Sequence, residues 1–339
     1  MFTDRCTDFL DFSDKLNNPQ LLGLAQEIPE VLCKARAPNT NKSYGLAFKR
    51  WTRWAEEYPE ISVLPAQPLH IILFLIFLAK TAKSYSVINI AVCAINWAHN
   101  LAGLDSPTRH VLIVETLNGL KRQLARPTIP KEPFEREHIH KLFDILDPGK
   151  LTDIRNTLII VLAYFAFLRV DELRHVCTQH IEINNSHAEI TIPKSKCDQL
   201  RQGNTVIVAR LGGKFCPITL LEKYLQVACA KCKPYKHCTH YVFKKLEVKN
   251  KTTHASEKDI PMTYSSIRDV VKKKATQLGL DAKRFGTHSM RAGGATAAAN
   301  SAVPDRILQK HGRWATASSK DRYVKDSHEQ RMQITQMLG

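Results

Sequence analysis

Residues 287–324 read THSMRAGGATAAANSAVPDRILQKHGRWATASSKDRYV and hold the densest group of candidate catalytic side chains in the sequence. His288 and Arg291 are three residues apart, so on a helix they share one face and can meet at a single anion. Trp314 and Tyr323 follow in a basic surrounding that is rich in Ser and Thr. A histidine, an arginine and a late tyrosine can supply a proton relay, an oxyanion clamp and a nucleophile for attack on phosphorus.

This order of residues, THSMRAGG, then HGRW, then a tyrosine nine residues after the tryptophan (323 − 314), resembles the C-terminal box of the tyrosine recombinases. That group is the phage-integrase or Cre-like family, and transposon recombinases of the DIRS and Crypton types share the pattern. A lone HxxR would carry almost no information, because a helical His and Arg are more often ordinary surface residues. The resemblance implies a mainly α fold with a small antiparallel β-sheet, in two domains: a helical core-binding domain and an α+β catalytic domain.

The composition favours a globular protein with a polyanionic partner. The chain has 339 residues, 44% of them hydrophobic, and a formal net charge of +17. Such an excess of Lys and Arg attracts phosphates and releases their counterions, so nucleic acid is the simplest partner, and the resemblance implies that it is double-stranded DNA. The alternative is a basic protein whose charge only keeps it soluble.

The cysteines and the apolar segments predict where in the cell the protein is found. Nine cysteines form no disulfide-like framework, and no signal peptide opens the sequence, which predicts an intracellular protein: nuclear in a eukaryote, otherwise cytoplasmic. The longest apolar run, residues 70–79, is too short to span a bilayer and predicts a buried helix, so no membrane partner is expected.

The first part of the chain predicts a lead-in segment over residues 1–34, with a short amphipathic helix from Pro19, and four helices across residues 35–125. The resemblance implies that these helices form the family's core-binding (SAM-like) domain. Aromatic residues recur at helical spacing in residues 44–54 and predict core packing rather than a base-stacking platform. The basic residues off that stripe are candidate phosphate contacts: Lys42, Lys49, Arg50 and Arg53.

A linker is predicted over residues 126–134, where three prolines interrupt any helix and favour an extended spacer. Arg126 and Lys131 within it are further candidate DNA contacts. The catalytic domain then covers residues 135–339.

An apolar helix is predicted over residues 151–167, and it leads into FLRVDELRHV. Arg169 and Glu172 match the first box of the tyrosine recombinases, an arginine followed three residues later by an acid. A surface arginine near a helix end is the alternative, but an arginine that follows such an apolar run, with Glu172 as its partner, favours a buried functional role. Arginine presents a planar fork to a phosphate, which lysine cannot reproduce.

Alternating patterns predict strands at about residues 180–183, 188–192 and 205–209. The resemblance implies a catalytic lysine in the turn between the last two strands. Lys196 fits that position best, and Lys194 is its competitor. A helix near residues 301–312 is predicted to begin after Pro304 and to stop near Gly312.

Together these residues fill the active-site positions of the family: Arg169, Lys196, His288, Arg291, Trp314 and Tyr323. The resemblance implies that Tyr323 forms a 3′-phosphotyrosyl bond while the arginines bind the phosphate, Lys196 protonates the leaving oxygen and His288 assists proton transfer. His311 also lies near the Trp position and is a candidate supporting residue, as is Glu172. Neither a metal nor another cofactor is expected, and a homo-oligomer is: a dimer on a site and a tetramer in synapsis.

Three other functions are weighed against a recombinase. A type IB topoisomerase uses the same chemistry and reseals the same strand, and a domesticated DNA-binding protein would no longer cut. A zinc-dependent regulator would use residues 229–240, which hold three Cys and two His, although their spacing fits no standard zinc finger. A C-terminal helix near residues 327–338 can dock on its own domain or on a neighbouring subunit.

Overall fold

The computed structural model describes residues 16–127, 129–193, 203–229, 238–249 and 252–338. The chain divides by its internal contacts into two compact units, Met1–Thr128 and Ile129–Gly339. Lys194, Lys196, Cys232 and His237 lie outside the described residues. The mainly helical fold with a small antiparallel sheet is confirmed.

The described residues of the first unit form helices joined by loops and turns. Its helices are α1 (Pro19–Lys34), α2 (Pro38–Ala55), α3 (Pro68–Ala79), α4 (Tyr85–Leu101) and α5 (Val111–Gln123), with a 3-10 turn at Pro107–Arg109 before α5.

The aromatic stripe of α2 lies in the core of this unit, as its spacing predicts. Phe48, Trp51 and Trp54 are buried, and the Trp51 Nε1–H donates to the Val63 carbonyl oxygen over 3.1 Å. The stripe packs against the apolar helix α3, where Phe74 lies 5.2 Å from the Trp51 ring. Because aromatic side chains occupy the buried face, the basic residues of α2 lie on its exposed face.

The end of the predicted linker is attached to the second unit. The Glu132 backbone N–H donates to the Arg284 carbonyl oxygen over 2.7 Å, and that of Phe134 donates to the Ser289 carbonyl oxygen over 3.0 Å. The Phe134 side chain is fully buried, and Lys131 Nζ donates to the Lys283 carbonyl oxygen. These residues therefore belong structurally to the second unit.

The second unit contains nine of the described helices: α6 (Arg136–Asp144), α7 (Leu151–Phe165), α8 (Val170–Arg174), α9 (Pro217–Ala228), α10 (Tyr264–Gln277), α11 (Ser289–Asn300), α12 (Asp305–Gly312), α13 (Ala317–Asp321) and α14 (His328–Gln336). Helix α7 is buried along almost its whole length and packs against α9, α10 and α11. It is the central helix of this unit.

The β-structure comprises a three-stranded antiparallel sheet of β1 (Ile181–Ile183), β2 (His187–Ile192) and β3 (Asn204–Ala209), in that order. Ile190 of β2 pairs with Val206 of β3, and both side chains are buried, so the alternating pattern points one face into the core. The antiparallel pair β4 (Leu246–Lys249) and β5 (Thr252–Ala255) was not predicted, because that segment presents mainly a Lys-rich composition. None of the described helices is long and apolar enough to cross a membrane.

Candidate active site

Arg169 is placed by a sharp change of chain direction after α7. The predicted helix to residue 167 ends at Phe165, because Phe167 adopts the left-handed conformation with φ 47°. Arg169 then caps α8: its backbone N–H donates to Glu172 Oε2 over 2.9 Å, and its Nη1 donates to Glu172 Oε1 over 2.7 Å. These two bonds to Glu172 hold the guanidinium at the start of the helix, with 14% of its side chain exposed.

Arg291 lies on α11, which approaches α7 very closely. A Cβ at Gly294 would lie 2.1 Å from the Tyr164 carbonyl oxygen, and one at Gly293 would lie 2.0 Å from that of Phe134. Only glycine allows these contacts, and they leave the Arg291 side chain fully buried. Its Nη1 donates to the Phe167 carbonyl oxygen over 2.6 Å, and its Nη2 donates to that of Gly312.

The guanidinium of Arg291 lies against the rings of Trp314 and Tyr323, with its Cζ 4.5 Å and 5.0 Å from their respective centroids. Such stacking suits an arginine, whose planar cation is attracted to an aromatic face. Burial, followed by the charges of Arg169 and Arg313, lowers the pKa of Arg291 from its ordinary value. An arginine nevertheless keeps its proton at neutral pH, so the site holds a buried positive charge.

Tyr323 lies within reach of His288. Its hydroxyl is 3.5 Å from His288 Nδ1, and the two rings are 5.9 Å apart, so a small adjustment would complete a hydrogen bond. Thr296 Oγ1 donates to the Tyr323 carbonyl oxygen over 3.3 Å and accepts from the Lys325 backbone N–H over 3.1 Å. This threonine of α11 therefore attaches the tyrosine segment to the helix that carries Arg291.

Trp314 packs its buried indole between Phe167 and Tyr323, with ring centroids 6.1 Å and 5.5 Å away. Its Nε1–H has no hydrogen-bond partner within the described parts of the chain. A buried donor of this kind suits an incoming acceptor. The role expected of Trp314, packing together with donation from its indole N–H, stays a prediction.

His311 lies against Phe165 and Phe167. Its Nε2 lies 2.8 Å from the Phe165 carbonyl oxygen, and its ring packs edge-on against Phe167 at 4.6 Å. Burial lowers the pKa of His311, although the bond to Phe165 raises it. His311 is therefore neutral, with its proton on Nε2, and it supports the chain turn after α7.

Glu172 is the anion on which the arginines of the site converge, and one of those arginines, Arg313, was missed by the sequence analysis. Arg313 Nη2 donates to Glu172 Oε2 over 2.8 Å, and Arg291 Nη1 lies 4.0 Å from the same oxygen. Burial would raise the pKa of Glu172, but the Arg313 charge and the charge and hydrogen bonds of Arg169 outweigh it and lower the pKa. The only available signal for Arg313 was its place between Gly312 and Trp314.

The end of α12 agrees with the expectation from the sequence. The helix was predicted to stop near Gly312, and Gly312 is its last helical residue, after which Arg313 adopts the left-handed conformation with φ 56°. A Cβ at Gly312 would lie 1.9 Å from the Trp314 ring. Glycine is therefore required at 312 by the close indole and not by its backbone angle.

Three groups of predicted residues lie away from this cluster or beyond the described residues. Lys194 and Lys196 fall in the undescribed connection between β2 and β3. Cys238 Sγ and His240 Nδ1 are 3.2 Å apart, but Cys232 and His237 of the suspected zinc cluster are not described. The predicted DNA contacts of the first unit are exposed: Lys42, Lys49, Arg50, Arg53 and Arg126.

Comparison with known proteins identifies the family of this chain. The phage integrase family model matches residues 133–330, more than half of the chain. The chain therefore belongs to the phage integrase family, the tyrosine recombinases, and the resemblance seen in its sequence is confirmed.

One related protein matches most of the chain. The integrase/recombinase XerD homolog of Selenomonas ruminantium is 25% identical over 299 residues, which cover 87% of this chain and 84% of that protein.

Solved structures share the fold at lower identity. The XerH recombinase bound to palindromic difH, in a post-cleavage complex, has a TM-score of 0.60 at 13% identity and covers 99% of this chain and 92% of its own. The Tn1549 transposon integrase in complex with circular intermediate DNA has a TM-score of 0.55 at 16% identity, with coverages of 90% and 95%. A lambda integrase dimer bound to a COC′ core site has a TM-score of 0.53 at 13% identity, with coverages of 86% and 90%.

Proposed function

We propose that this chain is a site-specific recombinase that cleaves and rejoins double-stranded DNA through a covalent bond between Tyr323 and a 3′-phosphate. The observation that carries the proposal is the position of the Tyr323 hydroxyl, 3.5 Å from His288 Nδ1 and on a ring that stacks on the Arg291 guanidinium. A nucleophile, a proton acceptor and a buried cation thus meet within one cluster.

In the cleavage step the Tyr323 oxygen attacks the phosphorus and the bond from phosphorus to the 5′-oxygen breaks. The tyrosine proton passes to His288, and the leaving 5′-oxygen takes a proton from Lys196. Arg169 and Arg291 bind the non-bridging oxygens as negative charge develops there, where a preorganised donor contributes most. Two guanidinium groups supply the charge that a metal ion supplies in other phosphoryl-transfer sites.

Rejoining reverses these steps with another strand. The phosphotyrosyl bond conserves the energy of the phosphodiester, so a 5′-hydroxyl from a partner duplex reseals the strand without ATP. Exchange between two duplexes requires at least two active sites, which supports a dimer on each site and a tetramer in synapsis. The lambda integrase dimer bound to a COC′ core site supports a dimer on DNA, and the XerH complex with difH supports DNA as the partner.

The test is covalent trapping. Random-sequence duplexes carrying single nicks are incubated with the protein in EDTA, so that a cleaved strand loses its short 5′-hydroxyl fragment and cannot be resealed. Adducts that survive denaturing electrophoresis are isolated and their DNA is sequenced. We expect an adduct linked to Tyr323 and an enriched sequence that identifies the site.

Tyr323→Phe is the control, because it keeps the ring that packs on Arg291 and removes only the nucleophilic oxygen. An adduct that forms with this variant would refute the assignment. Relaxation of supercoiled DNA that lacks the enriched sequence, without strand exchange between duplexes that carry it, would indicate the topoisomerase alternative.

A further inference from the structure

We infer that Arg313 is a positioning residue, which neutralises Glu172 and thereby leaves the Arg291 guanidinium available to the DNA phosphate. The inference rests on the proposed function, since it concerns how that site is assembled. Arg313 acts through Glu172, whose carboxylate it contacts, and through the chain turn at Phe167.

The backbone of Arg313 adopts a conformation that is unusual for its residue type. Its φ of 56° and ψ of 42° lie in the left-handed region, at a helix C-terminus where glycine is the usual residue. A non-glycine residue there costs free energy. The cost indicates that the arginine side chain has a compensating role in this position.

The side-chain contacts show what that role is. Arg313 is 4% exposed, and its guanidinium donates in three directions besides Glu172. Nη2 donates to the Phe167 carbonyl oxygen over 2.9 Å, and Nη1 donates to those of Ala166 and His311 over 3.3 Å and 3.0 Å. The Phe167 oxygen is the one that also accepts from Arg291.

Arg313 and Arg291 both lie near the same carboxylate oxygen of Glu172. Glu172 Oε2 lies 2.8 Å from Arg313 Nη2 and 4.0 Å from Arg291 Nη1, while its Oε1 pairs with Arg169. Without Arg313, Oε2 keeps the Arg169 backbone N–H as a hydrogen-bond donor but loses the cation closest to it, and a buried carboxylate attracts a replacement cation. Arg291 is positioned to be drawn to Oε2, and it would then leave the Phe167 oxygen and its stacked position against Trp314 and Tyr323.

The experiment measures the single-turnover rate of adduct formation on the duplex selected with the wild-type chain. Arg313→Gly removes the side chain and suits the left-handed backbone, and Arg313→Gln keeps hydrogen-bonding capacity but removes the charge. We expect both to slow adduct formation ~10- to 100-fold, the usual loss when a group that orients an active-site residue is removed. DNA affinity should stay within about twofold, because the phosphate backbone is held by many other cations.

Two rescues separate positioning from mere support of the fold. Adding Glu172→Gln to Arg313→Gln removes the charge that attracts Arg291, so the double variant should react faster than Arg313→Gln alone. Methylguanidinium should restore part of the rate of Arg313→Gly by occupying the vacated space. It should not change the rate of Arg306→Ala, which removes an exposed arginine of α12.

Each outcome bears on the inference. If Arg313→Gln forms adduct at the wild-type rate, or if the losses in the double variant simply multiply, the inference is overturned while the proposed function stands. If the wild-type chain forms no adduct, the proposed function fails and the inference fails with it. Should Arg313→Gly not fold, the pair of glutamine variants still decides the question.

Discussion

Glu172 is the single residue on which the site depends most, because its buried carboxylate contacts Arg169 and Arg313 and lies close to Arg291. One anion among three guanidinium groups leaves a net positive charge. A phosphodiester, which carries one negative charge, offsets part of that excess. Holding this excess positive charge in a buried site destabilises the DNA-free fold. A bound phosphate would offset that destabilisation.

Lys196 can be tested as the general acid by changing the leaving group. Lys196→Ala should slow cleavage of an ordinary phosphodiester by ~10²-fold or more, as loss of a general acid does. A substrate with sulphur in place of the bridging 5′-oxygen should be cleaved at close to the wild-type rate, because a thiolate leaves without a proton. Rates of adduct formation on both substrates give the answer.

Lys194→Ala is the matched control for that experiment. Equal defects of Lys196→Ala on the oxygen and sulphur substrates would mean that Lys196 only binds phosphate. Sulphur-specific rescue of Lys194→Ala instead would assign the acid to Lys194.

His311 should make the stability of the fold depend on pH. Burial lowers its pKa from the ordinary value of 6.5, so the unfolded chain takes up a proton as the pH falls through 6.5 and the folded chain does not. The free energy of unfolding should therefore decrease below that pH, by up to about 1.4 kcal/mol for each unit by which the pKa is lowered. Melting temperatures of the wild-type chain and of His311→Gln, measured between about pH 8 and pH 5, check this.

His311→Gln can still donate to the Phe165 carbonyl oxygen and does not titrate, so its melting temperature should fall less over the same range. Burial lowers the pKa of His99 and of His180 as well, and part of the pH dependence should therefore persist. Identical pH profiles for the two proteins would show that folding does not lower the pKa of His311.

Among the helices, the close approach of α11 to α7 determines where Arg291 lies. Gly294→Ala would place a Cβ 2.1 Å from the Tyr164 backbone, which cannot move without shifting α7. We expect a loss of ~1–3 kcal/mol or more in the free energy of unfolding, typical of an overpacked core. Thermal or denaturant unfolding measures it directly.

Gly119→Ala is the contrasting variant. Gly119 is exposed on α5, and an added Cβ would meet nothing within 4 Å. This change should raise the stability of the first unit by ~0.5–1 kcal/mol, since alanine favours a helix over glycine. A destabilising Gly119→Ala or a neutral Gly294→Ala would contradict the packing described here.

For the chain as a whole, the net charge of +17 predicts that DNA binding weakens steeply as salt is added. Lys49→Ala and Arg50→Ala, on the exposed face of α2, should each reduce the slope of log affinity against log salt by about 1 if each contacts a phosphate. Affinity for random-sequence duplex, measured over a range of NaCl concentrations, reports this slope.

Lys34→Ala serves as the control, because Lys34 already pairs with Glu30 over 2.7 Å on the exposed surface of α1. The slope should not change in that variant. Unchanged slopes for Lys49→Ala and Arg50→Ala would remove α2 from the proposed DNA-binding surface.

Much of this protein could be predicted from sequence, because the informative signals are local. Helical spacing predicted the buried aromatic stripe of α2, and alternation predicted the strands of the main sheet. The ordered box from His288 to Tyr323 predicted the family, and the fold then brought Tyr323 within 3.5 Å of His288. Local periodicity and motif spacing survive folding unchanged, which is why they can be interpreted without coordinates.

The contact between Arg313 and Glu172 could be decided only by the tertiary structure. The two residues are 141 positions apart, and nothing in the periodicity of either segment indicates the other. The same holds for the left-handed backbones of Phe167 and Arg313, since neither residue type favours that conformation alone. Long-range pairing depends on the path of the whole chain: the packing of α11 on α7 brings the end of α12 to the start of α8, and only there does an arginine gain a buried carboxylate as its partner.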